Sequence, residues 1–224
     1  MRIEWLIKKG AGRVIVFFNG WGMDAAAVSH LKTNADVVMF YDYRSLSYDN
    51  LPDLEDYREI YVVAWSMGVW AASCLVPHLK MQPRLVVALN GTERPVDDQY
   101  GIPVKIYRLT EKGMDARGRE KFFSRMVVTD EDRQFLKGHL PSRELREQCE
   151  ELVLIEKQSQ GCEKRCHWDK VYVSEKDVIF PPGNQLNWWK EKAPVALLAG
   201  GHYPFTSFKS WEDILGIEVL SRNI

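Results

Sequence analysis

The run Ile60-Tyr61-Val62-Val63-Ala64-Trp65-Ser66-Met67-Gly68-Val69-Trp70 limits what this chain can fold into more than any other stretch. Its first half is apolar and rich in β-branched side chains, which reads as a buried strand. The strand pattern breaks at Ser66 and a helix-compatible stretch begins at once. A serine on such a strand–turn–helix sits on a strained turn that lifts its hydroxyl clear of the sheet. The residues two before and two after it must be small, because strand and helix backbones pass close together there. Ala64 and Gly68 meet that demand. One short segment therefore proposes a nucleophile, a largely parallel sheet and a reaction class.

The rest of the chain supplies a sheet to carry it. Strands are expected at Arg2–Ile7 and Arg13–Phe18, an opening pair joined by the turn Lys8-Lys9-Gly10-Ala11-Gly12. Further strands are expected at Asp36–Phe40, Glu59–Ala64, Arg84–Leu89, Val104–Tyr107, Lys170–Val173 and Pro194–Leu198. Short strands alternating with helical segments predict an α/β class with a mostly parallel central sheet and helices on both faces. Between residues 110 and 167 the rhythm changes: charged residues dominate and apolar ones recur at helical spacing, as in Phe122, Phe123, Met126, Phe135 and Leu136. This divides the chain into a core of residues 1–109 and 168–224 and a helical insertion of residues 110–167. Ligands of open α/β sheets bind at the strands' carboxyl ends, so the insertion is expected to act as a lid there.

A chain of 224 residues is long enough for one substantial core. A formal net charge of −1 lacks the basic excess of a nucleic-acid binder. The sequence opens Met1-Arg2-Ile3-Glu4-Trp5 without the apolar core of a signal peptide, and no apolar run approaches a membrane span. Scattered Cys74, Cys149, Cys162 and Cys166 do not form a disulfide scaffold at this size, so a cytoplasmic location is expected. Cys162-x-x-x-Cys166-His167 suggests zinc, yet a structural site needs a fourth ligand that the neighbourhood does not offer. No metal and no cofactor are expected.

Serine is a weak nucleophile at neutral pH and needs a base, which in turn needs an orienting acid. On this kind of turn the acid and then the base follow the serine in the chain. Ala199-Gly200-Gly201-His202-Tyr203-Pro204 puts His202 alone among the five histidines on a strand-end loop. The loop after Lys170–Val173 offers Asp177, ahead of Val178-Ile179-Phe180-Pro181, with Glu175 as its near rival and Asp97 and Asp98 more distant alternatives. An oxyanion hole requires two backbone N–H donors. Met67, directly after the serine at a helix N-terminus, supplies one; Trp21, in Phe18-Asn19-Gly20-Trp21-Gly22, is expected to supply the other and to wall the acyl pocket.

With these parts assembled, the chain resembles the α/β-hydrolase superfamily over nearly its whole length. More narrowly it is similar to the BioG-type pimeloyl-[acyl-carrier protein] methyl ester esterases of biotin synthesis. The residues that carry this resemblance are Phe18-Asn19-Gly20-Trp21-Gly22-Met23-Asp24, Tyr41-Asp42-Tyr43, Ala64-Trp65-Ser66-Met67-Gly68, Asn90-Gly91-Thr92 and Pro95-Val96-Asp97-Asp98-Gln99-Tyr100-Gly101-Ile102. The resemblance implies a nucleophile at Ser66, a base at His202 and an acid at Asp177, with Trp21 and Met67 holding the oxyanion. The implied substrate is the methyl ester of a seven-carbon dicarboxylate held as a thioester on acyl carrier protein.

An acidic carrier calls for a basic face on the insertion, for which Arg117, Lys121, Arg125, Arg143 and Arg146 are candidates. Phe122, Phe123 and Met126 are candidates to line the acyl channel. Two rival readings stay open at this level. One is a general carboxylesterase, lactonase or thioesterase with the same triad; the other is a hydrolase-fold protein kept for binding. Oligomeric state is not legible.

Overall fold

The structure, a computed structural model, describes residues 1–49, 51–79, 82–161 and 166–217. Its sheet contains β1 (Arg2–Ile7), β2 (Arg13–Phe18), β3 (Asp36–Tyr41), β4 (Glu59–Trp65), β5 (Leu85–Leu89), β6 (Lys170–Ser174) and β7 (Val195–Leu198). The seven strands run in the order β1-β3-β2-β4-β5-β6-β7, with β1 antiparallel to β3 and every other pair parallel. The five inner strands are continuous runs of buried Val, Ile, Phe and Ala, because a parallel strand is covered on both faces. The edge strands β1 and β7 are more exposed.

β1 and β2 are not neighbours, as the turn between them suggested; β3 lies between. Asp36, the first residue of β3, explains how the turn accommodates it. Its carboxylate accepts the backbone N–H groups of Lys9 at 2.7 Å, Gly10 at 3.2 Å and Ala11 at 3.3 Å.

The helices are α1 (Met67–Leu75), α2 (Val104–Lys112), α3 (Ala116–Ser124), α4 (Asp130–Lys137), α5 (Leu145–Ser159), α6 (Pro182–Trp189) and α7 (Trp211–Leu215). α1 packs on β2 and β4, α6 on β6, and α7 on β4 and β5. The expected strand over Val104–Tyr107 is instead the first turn of α2. Pro103 precedes it, and a helix entered through proline loses no backbone hydrogen bond. Among the described residues four helices, α2 to α5, thus separate β5 from β6, beginning earlier in the chain than residue 110.

Local chemistry fixes where these helices start. Asp115 caps α3 by accepting the Gly118 N–H, and Thr129 caps α4 by accepting that of Asp132. Asp130, Glu131 and Asp132 crowd the first turn of α4 while Lys137 ends it, which suits the helix dipole. α5 buries Gln148, Glu151, Leu152 and Ile155, a stripe at i, i+3, i+4 and i+7 facing the core. Among the described residues no helix is long and apolar enough to cross a membrane. No group of three or more His, Cys, Asp or Glu gathers among them as a metal site; Cys162 lies outside the described residues.

Candidate active site

Ser66 stands in the turn between β4 and α1 with φ 57° and ψ −123°, a conformation that side-chain-bearing residues rarely adopt. Its neighbours are shaped to hold it there. A Cβ on Gly68 would stand 2.2 Å from the Phe18 carbonyl oxygen, and one on Gly91 would stand 2.4 Å from that of Ser66. Both glycines are therefore required by close backbone approach, and Ala64 is fully buried beside them.

The structure brings Ser66, His202 and Asp177 into one buried chain. His202 Nε2 lies 2.8 Å from Ser66 Oγ, and Nδ1 lies 2.8 Å from Asp177 Oδ2. The other Asp177 oxygen accepts the N–H groups of Ile179 at 2.9 Å and Phe180 at 2.8 Å. Glu175, the rival acid, is exposed, and Asp97 and Asp98 cap local backbone instead.

Three residues the sequence reading did not place in the site hold this chain. Gln185 donates its Nε2 to Asp177 Oδ2 at 3.1 Å. Trp65 donates its indole N–H to the His202 carbonyl at 2.9 Å. Asn90, itself at φ 45°, donates to the carbonyls of Gly201 and His202 and accepts the Ser174 N–H at 2.7 Å. Asn90 thereby ties the end of β5 to β6 and to the histidine loop. Its sequence signals were the Asn90-Gly91-Thr92 segment that shares in the family resemblance and its place directly after a strand, neither of which gave it this role.

Met67 opens α1, so its N–H is among those that a helix leaves without an intrahelical partner. Trp21 lies on the loop after β2; a Cβ on the adjacent Gly20 would stand 3.4 Å from Ser66 Cβ. Ser66, Trp21 and Met67 line a narrow cavity of about 30 Å³. Phe122 and Met126 line it too, joined by Ile106 and Thr110 from α2 and Leu152 from α5. Phe122 meets the Trp21 ring edge-on, with centroids 4.9 Å apart.

Phe123 does not share this cavity. Successive helical side chains diverge by about 100°, so Phe123 turns to a second groove with Val127 and Leu136. The helical insertion also touches the histidine loop, since the Met126 carbonyl accepts the Tyr203 N–H at 2.9 Å. Burial pushes the phenols of Tyr107 and Tyr203 well above the ordinary tyrosine range. Both remain neutral donors, to the Leu152 and Ala27 carbonyls respectively.

The basic candidates separate by exposure. Arg117, Lys121 and Arg125 are exposed on or just after α3, and Arg125 reaches the cavity rim, donating to the Val178 carbonyl. Arg146 is exposed and paired with Glu150. Arg143 must be removed from a docking face: its side chain is 3% exposed and lies 3.2 Å from Asp42 and 2.7 Å from Glu151.

Comparison with known proteins agrees with this architecture. The malonyl-[acyl-carrier protein] O-methyltransferase of Bacteroides fragilis is 40% identical over 192 residues; the match covers 84% of this chain and 39% of that protein. The chain thus spans well under half of that relative's length. An uncharacterized protein of Haemophilus influenzae is 36% identical over 204 residues, covering 88% of this chain and 92% of that one. The crystal structure of BioG from Haemophilus influenzae superposes with a TM-score of 0.85 at 34% identity, covering 96% of this chain and 100% of that one. An esterase from Exiguobacterium antarcticum, at 12% identity, 89% and 87% coverage and a TM-score of 0.65, shares the α/β-hydrolase fold. Residues 1–214 match the family described as pimeloyl-ACP methyl esterase BioG, and the chain belongs to that family.

Proposed function

We propose that this chain is a serine esterase that hydrolyses the methyl ester of pimeloyl-[acyl-carrier protein], yielding pimeloyl-[acyl-carrier protein] and methanol, in cytoplasmic biotin synthesis. The observation that carries this reading is the buried Ser66–His202–Asp177 chain, whose serine lines a narrow apolar cavity, in a member of this family.

Ser66 Oγ attacks the ester carbonyl carbon as its proton passes to His202 Nε2. Asp177 keeps the proton on Nδ1 and stabilises the imidazolium that forms. The N–H groups of Trp21 and Met67 take the charge that develops on the carbonyl oxygen, the largest single contribution in sites of this type. Collapse breaks the bond to the methoxy oxygen, which leaves as methanol with the proton from His202. Water, deprotonated by His202, then attacks the acyl-serine; the free carboxylate departs and Ser66 recovers its proton.

The cavity's narrowness and its Phe122, Met126, Leu152 and Ile106 lining favour an unbranched acyl chain over a ring. The helical insertion acts as the lid over that chain. Arg117, Lys121 and Arg125 at the rim side give an acidic carrier a surface to approach, and complementary charge of this kind acts mainly on encounter and orientation.

The test is mass spectrometry of methyl-pimeloyl-acyl carrier protein incubated with the wild type and with Ser66→Ala. Loss of one methylene's mass with the thioester intact, by the wild type only, is the expected result. An unchanged carrier substrate beside turnover of simple esters would replace the assignment with a general carboxylesterase.

A further inference from the structure

Two residues on one face of α5, Gln148 and Glu151, are fully buried although both are polar. Each is spent on the Trp21 loop. Glu151 Oε2 accepts the Gly22 N–H at 3.2 Å, and Oε1 accepts the Tyr43 N–H at 2.8 Å. Gln148 Nε2 donates to the Gly22 carbonyl at 2.8 Å, and the Gln148 carbonyl accepts the Trp21 indole N–H at 2.9 Å. Gly22 therefore has both its backbone groups gripped by one helix.

The grip falls where conformation is otherwise loosest. Gly22 has φ +71°, a region that glycine enters freely and leaves as freely. A Cβ there would meet Gln148 Nε2 at 3.3 Å, so the fit is close. On the other side of Trp21, Gly20 donates to the Asn19 side chain at 2.8 Å and its carbonyl accepts the Met23 N–H at 3.3 Å. In a trans peptide the C=O and the following N–H point in opposite directions. With the Gly20 carbonyl turned into the loop, the Trp21 N–H is turned out of it.

An unpaired carboxylate in the interior would not survive folding. Burial pushes Glu151 above the ordinary glutamate range, and Arg143, 2.7 Å away and itself buried, opposes that push. Such a network is costly to build for packing alone, since an apolar pair would fill the same space.

We propose that Glu151 and Gln148 are positioning residues that lock the Trp21 loop so that its N–H faces the oxyanion. The helical insertion then does more than cover the substrate: it sets one half of the oxyanion hole. This proposal rests on Ser66 being the nucleophile and not on the identity of the acyl group.

The experiment measures hydrolysis of p-nitrophenyl butyrate, and inhibition by phenylboronic acid, for Glu151→Gln and Gln148→Leu. Glu150→Gln, on the exposed side of α5, serves as the control. In Glu151→Gln an amide N–H must face a donor whichever way it turns; Gln148→Leu keeps bulk but loses the bond to Gly22. The expected result is a fall in kcat of at least about 10-fold in both variants, with KM within about 2-fold. The boronate, which forms a tetrahedral adduct, should weaken by a similar factor. The control should match the wild type.

Wild-type kcat in folded Gln148→Leu, or a loss confined to KM, would overturn the proposal; if Glu151→Gln yields no cooperative melt, Gln148→Leu decides alone. A wild type inert toward both this ester and the carrier-bound methyl ester would sink the serine-esterase reading and this proposal with it. Turnover by the wild type with unaffected variants would sink only the positioning role.

Discussion

Asp177 and His202 meet through a single carboxylate oxygen, Oδ2, 2.8 Å from Nδ1, while the other oxygen is already committed to the backbone of Ile179 and Phe180. That division fixes what an amide would do. In Asp177→Asn the oxygen must stay with the two N–H donors, so the amide nitrogen faces His202 and its protons force Nδ1 to be an acceptor. The imidazole proton then sits on Nε2, facing Ser66, where it blocks the base. We expect kcat to fall by about a thousand- to ten-thousand-fold with the melting temperature little changed. Near-wild-type turnover by this variant would remove Asp177 from its assigned role.

Gly68 carries the tightest demand on the elbow. A methyl group there would lie 2.2 Å from the Phe18 carbonyl oxygen and 2.6 Å from that of Asn19, both backbone atoms of the central strand region. Neither can yield without moving β2. Gly68→Ala should therefore lower the thermal midpoint sharply or prevent recovery of folded protein, an overpacking cost of about 1–3 kcal/mol or more. A normal melting curve for this variant would show that β2 and α1 separate more readily than their geometry suggests. Gly183→Ala, where the added Cβ meets nothing within 4 Å, is the matched comparison.

The sheet and the site differed in how far the sequence disclosed them. Strands β2 to β6 were legible because a parallel strand buried on both faces must be an unbroken apolar run bounded by turns. The same rule misled at Val104–Tyr107, where four residues cannot reveal whether the period is two or 3.6. Only Tyr107 is buried there, tied to the Leu152 carbonyl, and Ile106 reaches the cavity rim as a helical residue. Ser66 and His202 were legible because backbone strain and glycine neighbours write a local signature. Gln185, Asn90, Gln148 and Glu151 were not, since their roles come from partners 8 to 129 residues away. In a segment carrying Glu144, Glu147, Glu150 and Glu151, nothing local marks Glu151 as the buried one; Arg143 was misread for the same reason.

Acid sensitivity should trace to Asp36. Burial works against its charge, but the N–H of Lys9, the Tyr57 hydroxyl at 2.7 Å, and the N–H groups of Ala11 and Gly10 outweigh it and hold the carboxyl below its ordinary 3.8. Tyr57, pushed up to about 12 by burial and by Asp36, keeps the proton it donates. A carboxyl whose folded value is depressed stabilises the protein above its unfolded value, and that contribution disappears as pH falls through the folded one. The urea midpoint of the wild type should therefore decline as pH drops below about 4. Asp36→Asn should have a lower midpoint at neutral pH and a flatter profile in acid. An equally steep acid decline in the variant would assign the loss to other carboxylates.

The exposed basic residues around α3 make a prediction that separates carrier recognition from chemistry. Arg117 and Lys121 lie outside the cavity, so reversing their charge leaves the Ser66 surroundings intact. Rim charges act on encounter rate and salt dependence more than on the bound state. For Arg117→Glu combined with Lys121→Glu, kcat/KM on the carrier-bound methyl ester should fall by about 10-fold relative to that on a free dimethyl ester. The gap should narrow as salt rises, because exposed charges more than about 10 Å apart are screened at 0.1 M. The same reversal at Arg143 should behave differently, since it removes the arginine that pairs with Glu151 and sets a new carboxylate against Glu151 and Asp42 in the interior, damaging the fold and both activities together. A ratio between the two substrates that does not move in the surface variant would mean that the carrier approaches by another face of the insertion.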